Sequence, residues 1–357
     1  MTEKMRLGVV FGGQSAEHEV SVVSAMELLD AADPARFETV PFGVTPEGRW
    51  LTPDETRGHL ARKDELFAKR LDADVPTLLD RPNVLNELSH VDIVFPLVHG
   101  VNGEDGTLQG MLEMFGLPYA GCGVAASAIG MDKALQKRLF KQAGLQVAPY
   151  MTVLEPQWDA ARDDLTRTIE RELGYPAFVK PSNGGSSVGV GKARSREDLA
   201  VSIAEAFRFD SKILIERQIV GREVECGVLG YDPDDASCVG EVETSGDYYD
   251  YAAKYLDDSA RIIVPADLPD GVAQRIRHDA LHAFAAIEGA GGFARVDFFL
   301  TDEGETVINE INTIPGFRPV SMFPRLWAAA GVTYRELISR IVDRALARFA
   351  ERRKRNV

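Results

Sequence analysis

What the chain lacks narrows its class first. Cysteine is scarce: Cys122, Cys226 and Cys238 are the only three in 357 residues. An odd number without metal-ligand spacing excludes a disulfide framework and leaves reduced structural thiols. Positive charge is outweighed, since 40 Lys and Arg stand against 55 Asp and Glu for a net charge of -15. That balance argues against nucleic acid as a partner. No apolar run reaches the roughly 18 residues that cross a bilayer, and the opening MTEKMRLGVVFGG leads into a strand rather than a signal peptide. No membrane association is expected, and the expected location is cytoplasmic. Two phosphate-binding fingerprints are missing as well. In NGGSSVGVGKA, Ser186 and Ala193 stand where a P-loop needs Gly and Ser or Thr, and Arg194 takes the third glycine position of G-x-G-x-x-G.

What is present describes a multidomain α/β chain. The length exceeds the usual size of a single core, so two or three domains are expected. RLGVVFGG is an apolar strand closed by glycines, and helical spacing follows from about Val20. VDIVFPLVHG is a second buried strand before the loop VNGEDG and the helix TLQGMLEMFG. The N-terminal region is therefore expected to be an open, mostly parallel sheet. Residues 45–90 are polar, contain proline and are weakly periodic, which predicts loops and short elements beside that sheet. GVAASAIGMDKALQKRLFKQAG predicts one helix. YPAFVKPSNGGSSVGVGKA reads as strand, glycine-rich turn and strand, followed by the helix SREDLAVSIAEAF and the strand KILIERQI. The basic end ISRIVDRALARFAERRKR predicts a C-terminal surface helix.

The most informative stretch is ARVDFFLTDEGETVINEINTIPGF, residues 294–317. Two short strands rich in Val, Ile and Phe flank the turn Asp302, Glu303, Gly304. A two-residue loop at Glu303 and Gly304 sets Asp297 opposite Glu310 and Arg295 opposite Asn312, all on one face. Like charges directly opposite each other destabilise a sheet unless a cation sits between them. Two carboxylates and an amide suit magnesium, which keeps its other positions for water and nucleotide phosphates. Taken alone, the same hairpin also fits a solvated sheet edge with ordinary surface acids.

The glycine-rich turn offers Ser186 and Ser187 hydroxyls and backbone amides, with Lys180 on the strand before it. It fits a lid over phosphates, or simply a long hairpin loop with a solvated lysine. Lys133 in MDK, Lys180 in FVKP, and Glu216 and Glu223 in ERQIVGRE occur with the hairpin in an order that one nucleotide site would use.

These segments carry a resemblance over nearly the whole chain. FGGQSAEHEVS, HGVNGEDGTLQG, YAGCGVAAS with MDK, VKPSNGGSSVGV, LIERQIVGREVE, YDYAAKY, ARVDFF and NEINTIPGF occur in the order of the D-alanine–D-alanine ligases. The chain resembles that family of the ATP-grasp superfamily. The resemblance implies an N-terminal α/β substrate-binding domain (1–122), followed by a two-domain ATP-grasp fold: a central domain (123–216) and a C-terminal domain (217–357) bearing the metal and oxyanion site. It implies that ATP phosphorylates one D-alanine to an acyl phosphate, which a second D-alanine attacks, releasing ADP and phosphate and giving the D-alanyl-D-alanine used in peptidoglycan precursor synthesis. ATP is then the co-substrate, with two Mg2+ ions as cofactor and Mn2+ as a substitute. A homodimer is the expected assembly.

The resemblance also assigns roles. Asp297, Glu310 and Asn312 match the metal ligands, Lys133 and Lys180 the phosphate-binding lysines, and Glu216, Arg217, Ile219 and Glu223 the positions that hold adenine and ribose. Arg217 stands where lysine is common, which leaves a backbone contact and puts only the side-chain role in doubt. Arg295 and the amide of Gly316 match donors to the oxyanion. Glu17 matches the acceptor of the first ammonium, although alone it reads as a helix N-terminal acid. His99 is expected beside the first carboxylate. Ser186 and Tyr255 match partners of Glu17 that close a loop, Lys254 adds charge near the phosphates, and Ser321 with the amide of Met322 matches the clamp on the second carboxylate. Met322 replaces a common leucine. Tyr255 resembles the tyrosine of ligases that use D-alanine as second substrate.

Overall fold

A computed structural model describes residues 4–15, 17–62, 78–232, 235–244 and 260–355. The first strand, β1 (Met5–Gly12), is buried from Leu7 onward and pairs in parallel with β2 (Phe37–Val44) on one side and β3 (Ile93–Pro96) on the other. The parallel N-terminal sheet expected from the sequence is therefore present. β2 went unread because Pro41 interrupts its apolar pattern, and its edge position is where a strand tolerates a residue without a donor. Helix α1 (His18–Ala31) follows β1, and the 45–90 segment holds α2 (Pro53–Arg62), a 3-10 turn (Leu78–Asp80) and α3 (Pro82–Leu88). Helix α4 (Thr107–Met114) follows the loop after β3.

The helix expected across 123–144 is two helices, α5 (Val124–Met131) and α6 (Lys133–Gln142). Asp132 breaks it in an extended conformation (φ -91, ψ 98), and its carboxylate caps α6 by accepting from the amides of Ala134 and Leu135. A buried cap needs further partners, and Ser182 Oγ donates to the same carboxylate at 2.7 Å while Lys212 pairs with it. These contacts hold the Asp132 pKa below its usual value despite burial. The break fixes where α6 begins, and so where Lys133 and Lys137 point.

The second sheet has the order β4 (Tyr150–Leu154), β7 (Lys212–Arg217), β5 (Ala177–Pro181) and β6 (Gly191–Ala193), all antiparallel. Its apolar face packs Val179, Ile213 and Ile215 with Trp158 and Ile169 of α7 (Glu155–Glu172) and Ile203 of α8 (Arg196–Ala206). The third sheet runs β10 (Ala260–Ile263), β9 (Ala236–Thr244), β8 (Arg222–Val228), β11 (Ala294–Leu300), β12 (Thr306–Asn312), again antiparallel. Helix α9 (Val272–Ala286) covers one face through Ile276, Ala280 and Phe284, while the opposite face meets Phe323, Leu326 and Trp327 at Gly227 and Gly240 and opens to the site beyond them.

Two further helices close the chain, α10 (Met322–Ala329) and α11 (Tyr334–Lys354). The C-terminal helix is more than the surface helix expected. Leu337, Ile338, Ile341 and Val342 of α11 share one core with Leu7 and Phe11 of β1 and Ile93 and Phe95 of β3. Arg348 donates to the carbonyls of Gly121 and Tyr119, and Arg352 pairs with Glu113. Arg348 and Arg352 of the basic end thus fasten the last helix to the N-terminal region. The three thiols are free, and burial pushes those of Cys122 and Cys226 up to about 12, which fits a structural role.

Candidate active site

A cleft of about 940 Å³ lies where the three sheets face one another. β11 is central to it, because it pairs with β8 and β12 and alternates a buried side chain with one that faces the cleft. Asp297 is the cross-strand partner of Glu310, and Arg295 that of Asn312, as the alternation predicts. The loop differs from the expectation. Thr301 donates to the carbonyl of Glu305 at 3.0 Å, so the loop has three residues and not two, with Gly304 in the left-handed region at φ 80. That change shifts the pairing by one residue near the turn, where Phe298 meets Ile308, and a bulge at Asn309 restores the register at Asp297.

The other side of Asp297 adds a carboxylate that sequence reasoning missed. Glu225 of β8 pairs directly with Asp297, so Glu225, Asp297 and Glu310 form a row across three strands. Arg295 offsets part of this charge: Nε donates to Asp297 Oδ1 at 2.7 Å, Nη2 donates to Oδ2 at 2.7 Å, and Nε lies 2.8 Å from Glu225 Oε2. Asn312 Nδ2 donates to Asp297 Oδ2 at 3.0 Å, and Lys133 Nζ lies 3.2 Å from Glu310 Oε2 while donating to the Gly184 carbonyl at 2.8 Å. Among the described residues no three His, Cys, Asp or Glu side chains converge as a closed metal cage. Opposed carboxylates with an amide fit magnesium instead, which takes only a few protein oxygens and completes its shell with water and phosphate.

Facing this row, Glu216 of β7 lies between two lysines. Lys180 Nζ of β5 is 2.6 Å from Oε2, and Lys137 Nζ of α6 is 2.5 Å from Oε1. Burial opposes ionisation of Glu216, but the two ammonium groups outweigh it and hold its pKa down to about 2. Burial likewise opposes charge on Lys180, yet Glu216 and Glu310 raise its pKa. The stability that Glu216 contributes is therefore complete above its ordinary value of 4.5 and is lost as pH falls from there towards 2. We expect Glu216→Gln to melt below wild type at neutral pH, with the gap closing across that window; a gap independent of pH between 5 and about 2 would reject the assignment.

The Arg217 side chain donates to the carbonyls of Leu173 at 2.8 Å and Glu172 at 2.9 Å. It caps the C-terminal end of α7, while Ile219 and Glu223 line the cleft beside its backbone.

At the end near β1, Glu17 is 9% exposed at the start of α1 and accepts a hydrogen bond from Ser186 Oγ. The glycine-rich turn reaches it because a Cβ at Gly185 would lie 2.7 Å from Glu17 Oε2. Ser186 and Ser187 adopt left-handed backbone angles (φ 49 and 59), strain that glycine-like turns carry at sites built for ligands. His99 is buried, its Nδ1–H donates to the Ile314 carbonyl at 3.0 Å, and Nε2 has no hydrogen-bond partner among the described residues. Burial opposes its protonation, but Glu104 at 3.6 Å and Glu17 raise its pKa. Gly316 lies against Ser321, whose side chain makes no capping bond to α10, and the amide of Met322 opens that helix. Lys254 and Tyr255 lie outside the described residues.

The cleft thus gathers every site residue expected from the sequence that falls within the described residues. It adds Glu225 and Glu104, and behind Glu216 lies the buried Lys137. Glu225 was legible in part, since the alternation in REVECGV puts it on the face of Glu223. Nothing in the periodicity of α6 distinguishes Lys137 from a solvated lysine.

Two antiparallel sheets that close lysines, opposed carboxylates and a glycine-rich turn around one cleft define an ATP-grasp ligase. Family models described as the N-terminus and C-terminus of D-ala D-ala ligase match residues 6–122 and 139–343. The D-alanine--D-alanine ligase of Geobacillus thermodenitrificans is 46% identical over 355 residues, covering 98% of this chain and 97% of its own. D-alanine--D-alanine ligase A of Escherichia coli K12 is 45% identical over 363 residues, covering 98% and 97%. Among solved structures, the D-alanine-D-alanine ligase from Coxiella burnetii superposes with a TM-score of 0.81 at 32% identity, covering 99% of this chain and 97% of that one. The VanG D-Ala:D-Ser ligase from Enterococcus faecalis gives 0.78 at 32% identity, covering 97% and 100%. The chain belongs to the D-alanine–D-alanine ligase family.

Proposed function

We propose that the protein joins two D-alanine molecules at the expense of ATP, through an acyl phosphate, for peptidoglycan precursor synthesis. The observation that carries this reading is the hairpin β11–β12, which presents Asp297, Glu310 and Asn312 beside Arg295 on one face of the cleft. In the first step a carboxylate oxygen of D-alanine bonds to the γ-phosphorus as the bond to the bridging oxygen of ADP breaks. In the second, the neutral amine of another D-alanine bonds to the acyl carbon, loses a proton, and phosphate departs with the C–O bonding pair. Magnesium, held as two ions by Asp297, Glu310 and Asn312 with manganese as a substitute, supplies charge neutralisation at the phosphates when bound. Lys133 and Lys180 bind phosphate, and Glu216, the Arg217 backbone, Ile219 and Glu223 hold adenine and ribose.

Glu17 receives the first ammonium and His99 lies by the first carboxylate, where a raised pKa favours a charged imidazolium donor. Ser186 tethers the glycine-rich turn to Glu17, and Tyr255 and Lys254 act from the adjoining loop. Arg295 and the amide of Gly316 donate to the oxyanion of the second step, and Ser321 with the amide of Met322 clamps the second carboxylate. We take residues 1–122, 123–216 and 217–357 as the three domains, a homodimer as the assembly and the cytoplasm as the location. Consistent with the last, no helix among the described residues is long and apolar enough to cross a membrane.

The likeness to a D-Ala:D-Ser ligase raises D-serine as a second acceptor. Purified protein with ATP, magnesium and D-alanine is expected to release phosphate and form the dipeptide at neutral pH. Added D-serine or D-lactate is expected to divert little of the product; acceptance of D-lactate in preference to D-alanine would sink the reading.

A further inference from the structure

Lys137 sits one helical turn beyond Lys133 on the same face of α6, yet the two lysines meet different surroundings. The Lys133 side chain is 16% exposed and lines the cleft, whereas that of Lys137 is 2% exposed and lies behind Glu216, away from the cleft lining. Burying an ammonium group is costly, and here burial pushes the Lys137 pKa below its ordinary value. Its partner explains the cost. Glu216 offers one oxygen to Lys137 and the other to Lys180, and only Lys180 opens onto the cleft.

A carboxylate shared between two lysines leaves one positive charge uncompensated in the triad. Were Lys137 absent, Glu216 would cancel Lys180 alone, and the carboxylate would compete with phosphate for that ammonium. Drawing Lys180 towards a nucleotide would then strand a buried carboxylate without a counterion, a costly arrangement. We propose that Lys137 is a positioning residue for nucleotide binding, holding the Glu216 carboxylate so that Lys180 can turn to the phosphates. This inference rests on the phosphate-binding role of Lys180 given above. The competing account makes Lys137 a counterion that fastens α6 to β7 and nothing more.

Ligands with and without phosphate separate the two. In calorimetric titrations of Lys137→Met with magnesium and AMP-PNP, affinity should fall at least about tenfold, whereas adenosine, which Glu216 also holds, should lose at least about threefold less. The KM for ATP should rise by a similar factor with kcat changed by less than about threefold. Lys137→Arg, which keeps the cation, should recover most of the AMP-PNP affinity. Equal losses for both ligands, or no loss for AMP-PNP, would overturn the proposal. If the Met variant does not fold, Lys137→Gln is read with the same two ligands. Lys180→Met tells the inference from its premise: normal AMP-PNP affinity in that variant rejects the phosphate role and the inference with it. A weakened Lys180 variant beside a normal Lys137 variant rejects the inference alone.

Discussion

Glu310→Gln is expected to lower phosphate release from ATP by about a thousandfold or more at saturating magnesium and D-alanine. The substitution is isosteric, so it removes one negative charge from the row Glu225, Asp297, Glu310 without opening a cavity. Two consequences for stability oppose each other. The pairing with Lys133 at 3.2 Å is lost, and so is the repulsion of Asp297 directly across the strands. The melting temperature without magnesium should therefore move by only a few degrees, while the stabilisation that magnesium and nucleotide together give wild type should largely disappear. Turnover near the wild-type value would reject Glu310 as a metal ligand. A variant that has simply unfolded would betray itself in the melting curve.

The placement of Glu310 was legible because strand alternation has a fixed period of two, which leaves little freedom once two apolar strands flank a short turn. The same case shows what was not legible. A loop closed by Gly304 takes three residues, one more than expected, and the whole hairpin would have slipped had Asn309 not bulged out between Glu310 and Ile308. The right partner at Asp297 thus came from two departures that cancel. Local propensity does not reveal such compensation, because the force that fixes it is burial of Ile308, Ile311 and Val296 in the core behind.

A related limit separates α5 from α6. Apolar spacing runs through MDK without a break, and only the tertiary partners Ser182 and Lys212 make Asp132 a helix cap rather than a passing acid. Lys137 was invisible for the same reason, and Glu225 legible only as to its face: a charged side chain in a strand or helix reads as solvated until the facing element is known. Parallel pairing in the N-terminal region, in contrast, could be read from two short apolar runs each leading into a helix.

The second large effect concerns Arg295, for which a proposed catalytic role and an observed structural one coincide. It is assigned as a donor to the oxyanion, and it also neutralises Asp297 and Glu225 through contacts of 2.7 and 2.8 Å. Arg295→Met should lower kcat by about a hundredfold to a thousandfold, the range for removing a preorganised oxyanion donor. It should also destabilise the protein, since the 5%-exposed Glu225 loses the Arg295 contact. The two roles respond differently to magnesium. With Arg295 gone the row of acids is more negative, so magnesium should raise the melting temperature of the variant more than that of wild type. A bound cation restores charge balance without supplying an N–H at the acyl carbon. The kcat of the variant should therefore stay low at saturating magnesium. Recovery of kcat under those conditions would reduce Arg295 to a counterion and leave the oxyanion to other donors. Arg295→Lys refines the point: it keeps the charge but loses the two-pronged contact with Asp297, and a guanidinium fixed by that fork is what aims the donor. A lysine variant with melting behaviour close to wild type and kcat close to that of the Met variant would show that direction, more than charge, is what Arg295 supplies.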